Sequence, residues 1–362
     1  MKVGTMLPAA QSVALNAQMA AAAAEMKIDS LWLPDHLLGF WHPELWHEFP
    51  AAAAMPDPDA FLDPFCVAAA LGAETPLPLG TSVTDGCRRR GIDLVRAAMT
   101  LNETCQGGFT LGVGAGETES TVPFGYDFSR PVGTLERTLV DIRALLDTGR
   151  MPDGGPGRTG LDRAGPNGVP QIWVAAQGGP RSLSLAGRYG DGWFALSVSA
   201  ERYAELFTAV RAAAQDAGRA APIGAMIPVT MLGESRDQVL AALEATPLIK
   251  LLLLFAPQEL WHQYGIDHPN GSEQGGFATI PHAIDPATLR EIAPRLPIEM
   301  FEEWVMLGSA EEVATRLKPY ADAGLEHVVL ADMSALAYAP EDAMTGFAQF
   351  AELTQILHGL GS

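Results

Sequence analysis

Ile172-Trp173-Val174-Ala175-Ala176-Gln177-Gly178-Gly179-Pro180-Arg181-Ser182 reads as a buried strand that runs directly into a helix. Its apolar half does not alternate with polar residues, as a strand with one wet face would. Both faces are therefore covered, the situation of a parallel strand beneath helices. The paired glycines permit a tight turn, and Pro180 suits the first position of a helix, where no N–H is required.

The same strand-to-helix order repeats along the chain. Strands are expected at 2–7, 30–34, 78–83, 109–114, 170–175, 192–196, 224–232 and 326–331. Helices are expected at 12–27, 63–72, 91–106, 132–148, 180–189, 200–217, 236–246, 310–323 and 341–358. Eight strands alternating with amphipathic helices favour an α/β fold closed as a (β/α)8 TIM barrel, spanning 1–362 as one domain, over a doubly wound open sheet. Three stretches break the rhythm: residues 37–62 after strand two, a Gly/Pro loop at 149–169, and residues 255–300 before the last strand. The first and last are insertions long enough to cover the barrel mouth as lids or binding loops.

Composition removes several function classes. With 43 acidic and 23 basic residues the net charge is −20, which repels nucleic acid and anionic membranes. Apolar runs such as residues 251–256 fall far short of the ~20 residues of a membrane helix. The start reads as a strand rather than a signal peptide, so a cytoplasmic location is expected. Cys66, Cys87 and Cys105 show neither paired nor zinc-type spacing, which suits a reducing compartment.

Two motifs fail on context. Gly155-Pro156-Gly157-Arg158-Thr159-Gly160 matches G-x-G-x-x-G, but no strand precedes it and a proline lies inside it. His36, His42 and His47 with Glu44 and Glu48 lack the helical spacing of a metal motif, so no metal is expected. A G-x-S-x-G elbow is absent.

The informative residues sit where strands end. Asp35 and His36 follow strand two; Ser82, Val83 and Thr84 close strand three; Gly112, Gly114, Gly116 and Glu117 close strand four; Gln177, Gly178, Gly179, Pro180 and Arg181 close strand five. In a barrel these carboxyl ends meet on the face that carries the chemistry. The strand-four glycines would let a flat ring approach the backbone. Glu117 and His36 are candidate catalytic proton carriers. The turn at 178–182, opening a helix beside Arg181, suits a phosphate. Arg88, Arg89 and Arg90 could hold an anionic cofactor tail. Residues 28–87 and 251–289 contain no Lys or Arg, so the two insertions offer an apolar small-molecule substrate pocket, with Phe40, Trp41, Trp46 and Trp261 as its walls.

These residues resemble the luciferase-like superfamily of flavin- and deazaflavin-dependent enzymes from end to end, in its F420-dependent oxidoreductase branch and nearest the phthiodiolone dimycocerosate ketoreductase group. The likeness is carried by Leu33-Pro34-Asp35-His36, Ser82-Val83-Thr84-Asp85, Gly112 to Glu117, Gly179-Pro180-Arg181 and, most subgroup-specifically, His268-Pro269-Asn270-Gly271. The resemblance implies a (β/α)8 barrel, commonly a homodimer, with coenzyme F420 across the mouth and His36 and Glu117 moving protons. It implies a non-proline cis peptide at Ser82–Val83. A sugar-phosphate branch carries a Lys shortly after strand six; Leu196-Ser197-Val198-Ser199 lacks it here. The expected activity is hydride transfer between the deazaflavin and an apolar ketone or alcohol. An FMN-dependent monooxygenase and a non-catalytic cofactor-binding protein are the alternatives.

Overall fold

Eight parallel strands close into a ring in the computed structural model, which describes residues 1–8, 12–162, 165–271, 276–338 and 343–360. In chain order the strands are β1 (Lys2–Met6), β2 (Ser30–Leu33), β3 (Leu79–Thr81), β4 (Thr84–Asp85), β5 (Phe109–Gly114), β6 (Ile172–Ala175), β7 (Gly192–Leu196), β8 (Ile223–Ile227), β9 (Val229–Leu232), β10 (Val305–Gly308) and β11 (His327–Asp332). The ring runs β1-β2-β3-β5-β6-β7-β8-β11, and β11 pairs back onto β1 from Lys2 opposite His327 to Thr5 opposite Leu330. It is the (β/α)8 barrel expected from the sequence.

Three departures from a plain ring matter. The Ser82–Val83 peptide is cis, as expected, and it separates β3 from the short β4, which resumes pairing with β5. Pro228 divides what the sequence presents as one strand into β8 and β9; β11 pairs first with β8 and then with β9. Strand β10 lies outside the ring, on the other flank of β9. It was not anticipated, because its four residues follow the helix Ile298–Trp304 without a Gly, Pro or polar break to mark a new element.

The nine expected helices are present with ends shifted by up to about two residues. Positions 341–342 of the last one lie outside the described residues, as do 163–164 of the Gly/Pro loop and 272–275 of the second insertion. The insertions are more ordered than their composition suggests. Pro43–Trp46, Gln258–Gln263, Pro286–Ile292 and Ile298–Trp304 are short helices, and Pro247–Phe255 is a run of 3-10 helix. Proline at the first turn starts several of them, where its missing N–H leaves nothing unsatisfied.

Packing separates into three apolar groups. One lies between the barrel and its helices. A second fills the barrel, with Trp32, Trp173 and Phe194 at ring separations of 5.0 Å and His327 bonded to the Ser30 hydroxyl at 2.8 Å. The third joins the insertions: Trp41, Trp46 and Phe49 from the first and Trp261 from the second pack with residues 251–256, which lead into the second. Among the described residues no single helix is long and apolar enough to cross a membrane. The segments Arg236–Ala245 and Pro247–Phe255 pass such a test only jointly and are bent by 98°, and the second is buried in the insertion cluster.

Close helix contact supplies a test of this packing. A Cβ on Gly187, in helix Pro180–Tyr189, would lie 2.3 Å from the Val210 carbonyl oxygen and 2.7 Å from the Ala214 nitrogen of helix Ala200–Asp216. Alanine is the better helix former by about 1 kcal/mol, but overpacking against backbone costs about 1–3 kcal/mol and a carbonyl cannot swing away as a side chain can. Gly187→Ala is expected to lower stability in urea denaturation by about 1–2 kcal/mol; unchanged or raised stability would show that the two helices part freely.

Candidate active site

The barrel interior is plugged by aromatic rings, and five partly buried apolar side chains cover the plug at the carboxyl ends of the strands. They are Met6 of β1, Val83 of the β3–β4 bend, Ala175 of β6, Leu196 of β7 and Met333 just beyond β11. This apolar floor was not identified from the sequence, since its residues come from five separate strands and look like ordinary core. Val83 is its centrepiece, and the β5 glycines explain how it gets there. A Cβ on Gly112 would lie 1.9 Å from the Thr81 carbonyl oxygen, and one on Gly114 would lie 3.0 Å from a Val83 methyl. Gly112 and Gly114 thus leave room for the bend between β3 and β4. Gly116 has φ +93°, so a side chain there would be strained whatever the space.

Beyond the floor stands His36, at the end of β2. Its imidazole is held between Phe40 at 4.5 Å and Phe61 at 5.6 Å. Glu117, after β5, brings Oε2 to 3.7 Å from His36 Nδ1, so the two expected catalytic residues do meet. A third group, which sequence reasoning missed, completes the cluster: Glu119 Oε1 is 3.6 Å from the same nitrogen, and Glu119 is fully buried. The signal available was the Glu-x-Glu spacing, but in the polar run Glu117-Thr118-Glu119-Ser120-Thr121 it looks like a solvated loop.

Local hydrogen bonds turn that loop inward. The Thr121 hydroxyl donates to the Glu117 carbonyl at 2.6 Å, and the Leu37 N–H donates to the Ser120 hydroxyl at 3.2 Å. His36 Nδ1, Glu117 Oε2 and both Glu119 carboxyl oxygens are buried without a hydrogen-bond partner, as is the Ser82 hydroxyl. Burial, reinforced by the adjacent Glu119, pushes the Glu117 carboxyl well above the usual range, and burial also raises Glu119. Buried titratable groups with displaced proton affinities at a strand-end mouth are equipped for acid–base chemistry.

Asp35 and Thr84, expected to bind cofactor, serve the scaffold instead. Thr84 is fully buried and its hydroxyl donates to Asp35. Asp35 Oδ1 is 3.1 Å from Arg88 Nη2, and Arg89 Nε approaches Asp35 Oδ2 at 3.4 Å. Arg88 also bonds Asp85, and its side chain is only 4% exposed. Arg89 reaches on to Asp63 at 2.9 Å. Buried cations must be paired, so these two arginines neutralise aspartates and are not free to hold an anionic tail.

After β6, the neighbour of β5 in the ring, Gly179 precedes helix Pro180–Tyr189 with no side chain capping it, leaving the helix N-terminus open. Gly178 is likewise exposed. The Gln177 side-chain oxygen accepts from the Leu196 N–H at 2.6 Å, tying the end of β6 to that of β7. Arg181 is exposed and paired with Glu136 at 2.6 Å. Beside it lies a groove of about 630 Å3 lined by Arg130, Gly133, Glu136, Arg137 and Arg181.

Of the four aromatic residues expected to line the substrate pocket, Phe40 alone contacts His36, and it also touches Phe255 of the second insertion at 4.9 Å. Trp41 packs on Phe49 at 4.6 Å within the insertion core. The Trp46 indole donates to the Met55 carbonyl of its own insertion, and the Trp261 indole to the Leu253 carbonyl just before the second insertion. These three tryptophans build the cover rather than face a substrate, because large rings offer the insertions their main buried area. His268, from the most subgroup-specific motif, does similar work: its ring meets the Leu254 carbonyl at 3.1 Å and packs on Trp261. His42 and His47 stay apart from His36: His42 caps helix Pro43–Trp46 and its ring lies 6.2 Å from that of His282, while His47 is exposed.

With this geometry in hand, comparison with known proteins is informative. A phthiodiolone/phenolphthiodiolone dimycocerosates ketoreductase of Mycobacterium tuberculosis is 35% identical over 327 residues, 86% of this chain and 85% of the relative. An F420-dependent glucose-6-phosphate dehydrogenase of Nocardia farcinica is 32% identical over 284 residues, 74% of this chain and 77% of the relative. Among solved structures, an F420-dependent secondary alcohol dehydrogenase in complex with an F420-acetone adduct superposes with a TM-score of 0.70 at 18% identity, covering 98% of each chain. The model of the luciferase-like monooxygenase family matches residues 1–327, and the chain belongs to that luciferase-like family.

Proposed function

We propose that the chain is a coenzyme F420-dependent oxidoreductase that interconverts an apolar ketone and its alcohol. The observation that carries this reading is the pairing of His36 Nδ1 with Glu117 Oε2, both buried and unsatisfied, at the rim of an apolar strand-end floor. The ketoreductase relative and the F420-dependent relatives support the same reading.

The residues suit a flat ring with a phosphorylated tail. Ser82 and Val83 would support the ring on the floor, with Gly114 and Gly116 keeping the adjacent backbone bare. The open turn formed by Gly178, Gly179 and Pro180 would take a phosphate, with Arg181 beside it. Since Arg88 and Arg89 are committed to aspartates, the anionic tail would lie in the groove that holds Arg130 and Arg137. A bound deazaflavin would supply hydride chemistry, and the protein's part is orientation and proton management. Glu117, kept protonated by burial, would hold its proton for the substrate oxygen, and His36 would keep that carboxyl in place. The insertions, which contribute no Lys or Arg from 28–87 or 251–289, would exclude water and select an apolar substrate over a sugar phosphate.

The family's description as monooxygenases favours one second reading, an FMN-dependent oxygenase on the same floor. Titration of the coenzyme-free protein with F420 and with FMN, followed by fluorescence and thermal stability, separates the two. F420 is expected to bind more tightly; equal or stronger FMN binding would overturn the proposal.

Glu117→Gln and His36→Asn are expected to slow turnover at saturating substrate by about 10²-fold or more, with coenzyme affinity changed far less. If both variants lose less than about threefold, neither residue carries the proton.

A further inference from the structure

Glu119 has no part in the reading above, yet it is the most thoroughly buried group of the cluster. It is 0% exposed, neither carboxyl oxygen accepts from a neighbouring donor, the carboxyl group faces that of Glu117, and Oε1 lies 3.6 Å from His36 Nδ1. Ligand atoms of His36, Glu117 and Glu119 all lie within 4.8 Å of one another. Two carboxylates this close, one wholly buried and the other with one oxygen shut off from water, resist being ionised together without a neutralising partner.

The surroundings do not provide enough positive charge. Asp35, Asp85, Glu117 and Glu119 present four carboxyl groups to the end of β2 and the β4–β5 corner. Against them stand Arg88, committed to Asp35 and Asp85, Arg89, shared between Asp35 and Asp63, and the single imidazole of His36, which faces two carboxyl groups at once and does not reverse the upward shift of Glu117. Cys87, next to Gly116, adds no charge of either sign, because burial pushes its thiol up to about 11 and keeps it protonated. Burial, with Glu117 and Asp35 close by, pushes even Asp85 up to about 7 despite its contact with Arg88. The cluster is short of positive charge, and the cheapest source is a proton.

We propose that Glu117 and Glu119 form a carboxyl dyad sharing one proton, in which Glu119 is the positioning residue that keeps a proton available on Glu117 beside His36. This rests on the reading of the site as a ketone-reducing centre. As the carbonyl carbon accepts hydride from the reduced coenzyme, the carbonyl π pair moves onto oxygen. The Glu117 O–H bond breaks as the alcohol O–H bond forms. The dyad is then left with two facing carboxylates, whose repulsion draws a replacement proton from solvent; the reverse reaction returns it.

The test uses coenzyme-free protein carrying 13C at the glutamate side-chain carboxyl, so that its outcome does not depend on which coenzyme is correct. Infrared spectra at neutral pH are expected to show the carbonyl stretch of a buried, protonated glutamate in the wild type. Glu119→Gln and Glu117→Gln are each expected to abolish it, because the one carboxyl group that remains then has the His36 imidazole to itself and ionises against it. No such band in the wild type, or a band that persists in Glu119→Gln, overturns the dyad. So does a divalent ion that copurifies tightly with the wild type, since it would neutralise the cluster in place of the proton; neither wild-type measurement depends on a variant folding. In turnover, Glu119→Gln should retain activity at acidic pH. It should lose kcat at a pH about one unit or more below the wild type, with KM for coenzyme within about twofold. An unshifted kcat profile overturns the positioning role.

Discussion

The ion pairs of Arg88 hold the working end of the barrel together. Its guanidinium reaches Asp35 at the end of β2 and Asp85 in β4, and it also donates to the Asp35 backbone carbonyl. Two strand ends and the bend between β3 and β4 are thereby locked to one side chain that is almost wholly removed from water. Removing one member of such a buried pair typically costs several kcal/mol, because the remaining charges lose their partner. His36 adjoins Asp35 in the chain and Val83 adjoins Thr84, so the position of the imidazole and the apolar floor both depend on this network.

From that anchor the site divides by chemistry. The floor and the Phe40 side are apolar and suit a flat ring and a hydrophobic reactant. The His36, Glu117 and Glu119 cluster is polar, buried and short of partners, a costly arrangement that a fold keeps where the groups are used. Beyond β6, the turn before Pro180 is uncapped, and the groove beside it is lined by both arginines and acidic residues, Arg130, Arg137 and Arg181 with Glu136 and Asp141. The two insertions are joined to each other by their tryptophan core, by Arg290 with Glu48 at 2.6 Å, and by His282 with Asp59 at 2.9 Å.

Where sequence reasoning went astray, the cause was the same each time. Arg88 and Arg89 looked available because, apart from Asp85 three positions before Arg88, their partners Asp35 and Asp63 lie 53 and 26 positions away in the chain. Trp46 and Trp261 looked like pocket walls because an aromatic residue in an insertion has the same composition whether it faces a substrate or another ring. Glu119 looked solvated because its neighbours are polar, and only the hydrogen bonds from Thr121 and Leu37 turn the loop inward.

The chain by itself determined the eight-strand ring, its parallel order and the meeting of His36 with Glu117. These follow from local periodicity, from turn residues at strand ends, and from the rule that parallel barrels gather their carboxyl ends on one face. Tertiary structure alone decided which arginines are neutralised, which tryptophans are core, and that a second glutamate joins the first. Those outcomes depend on charge pairing and desolvation between residues far apart in sequence. Neither has a period or a spacing that a one-dimensional pattern can record.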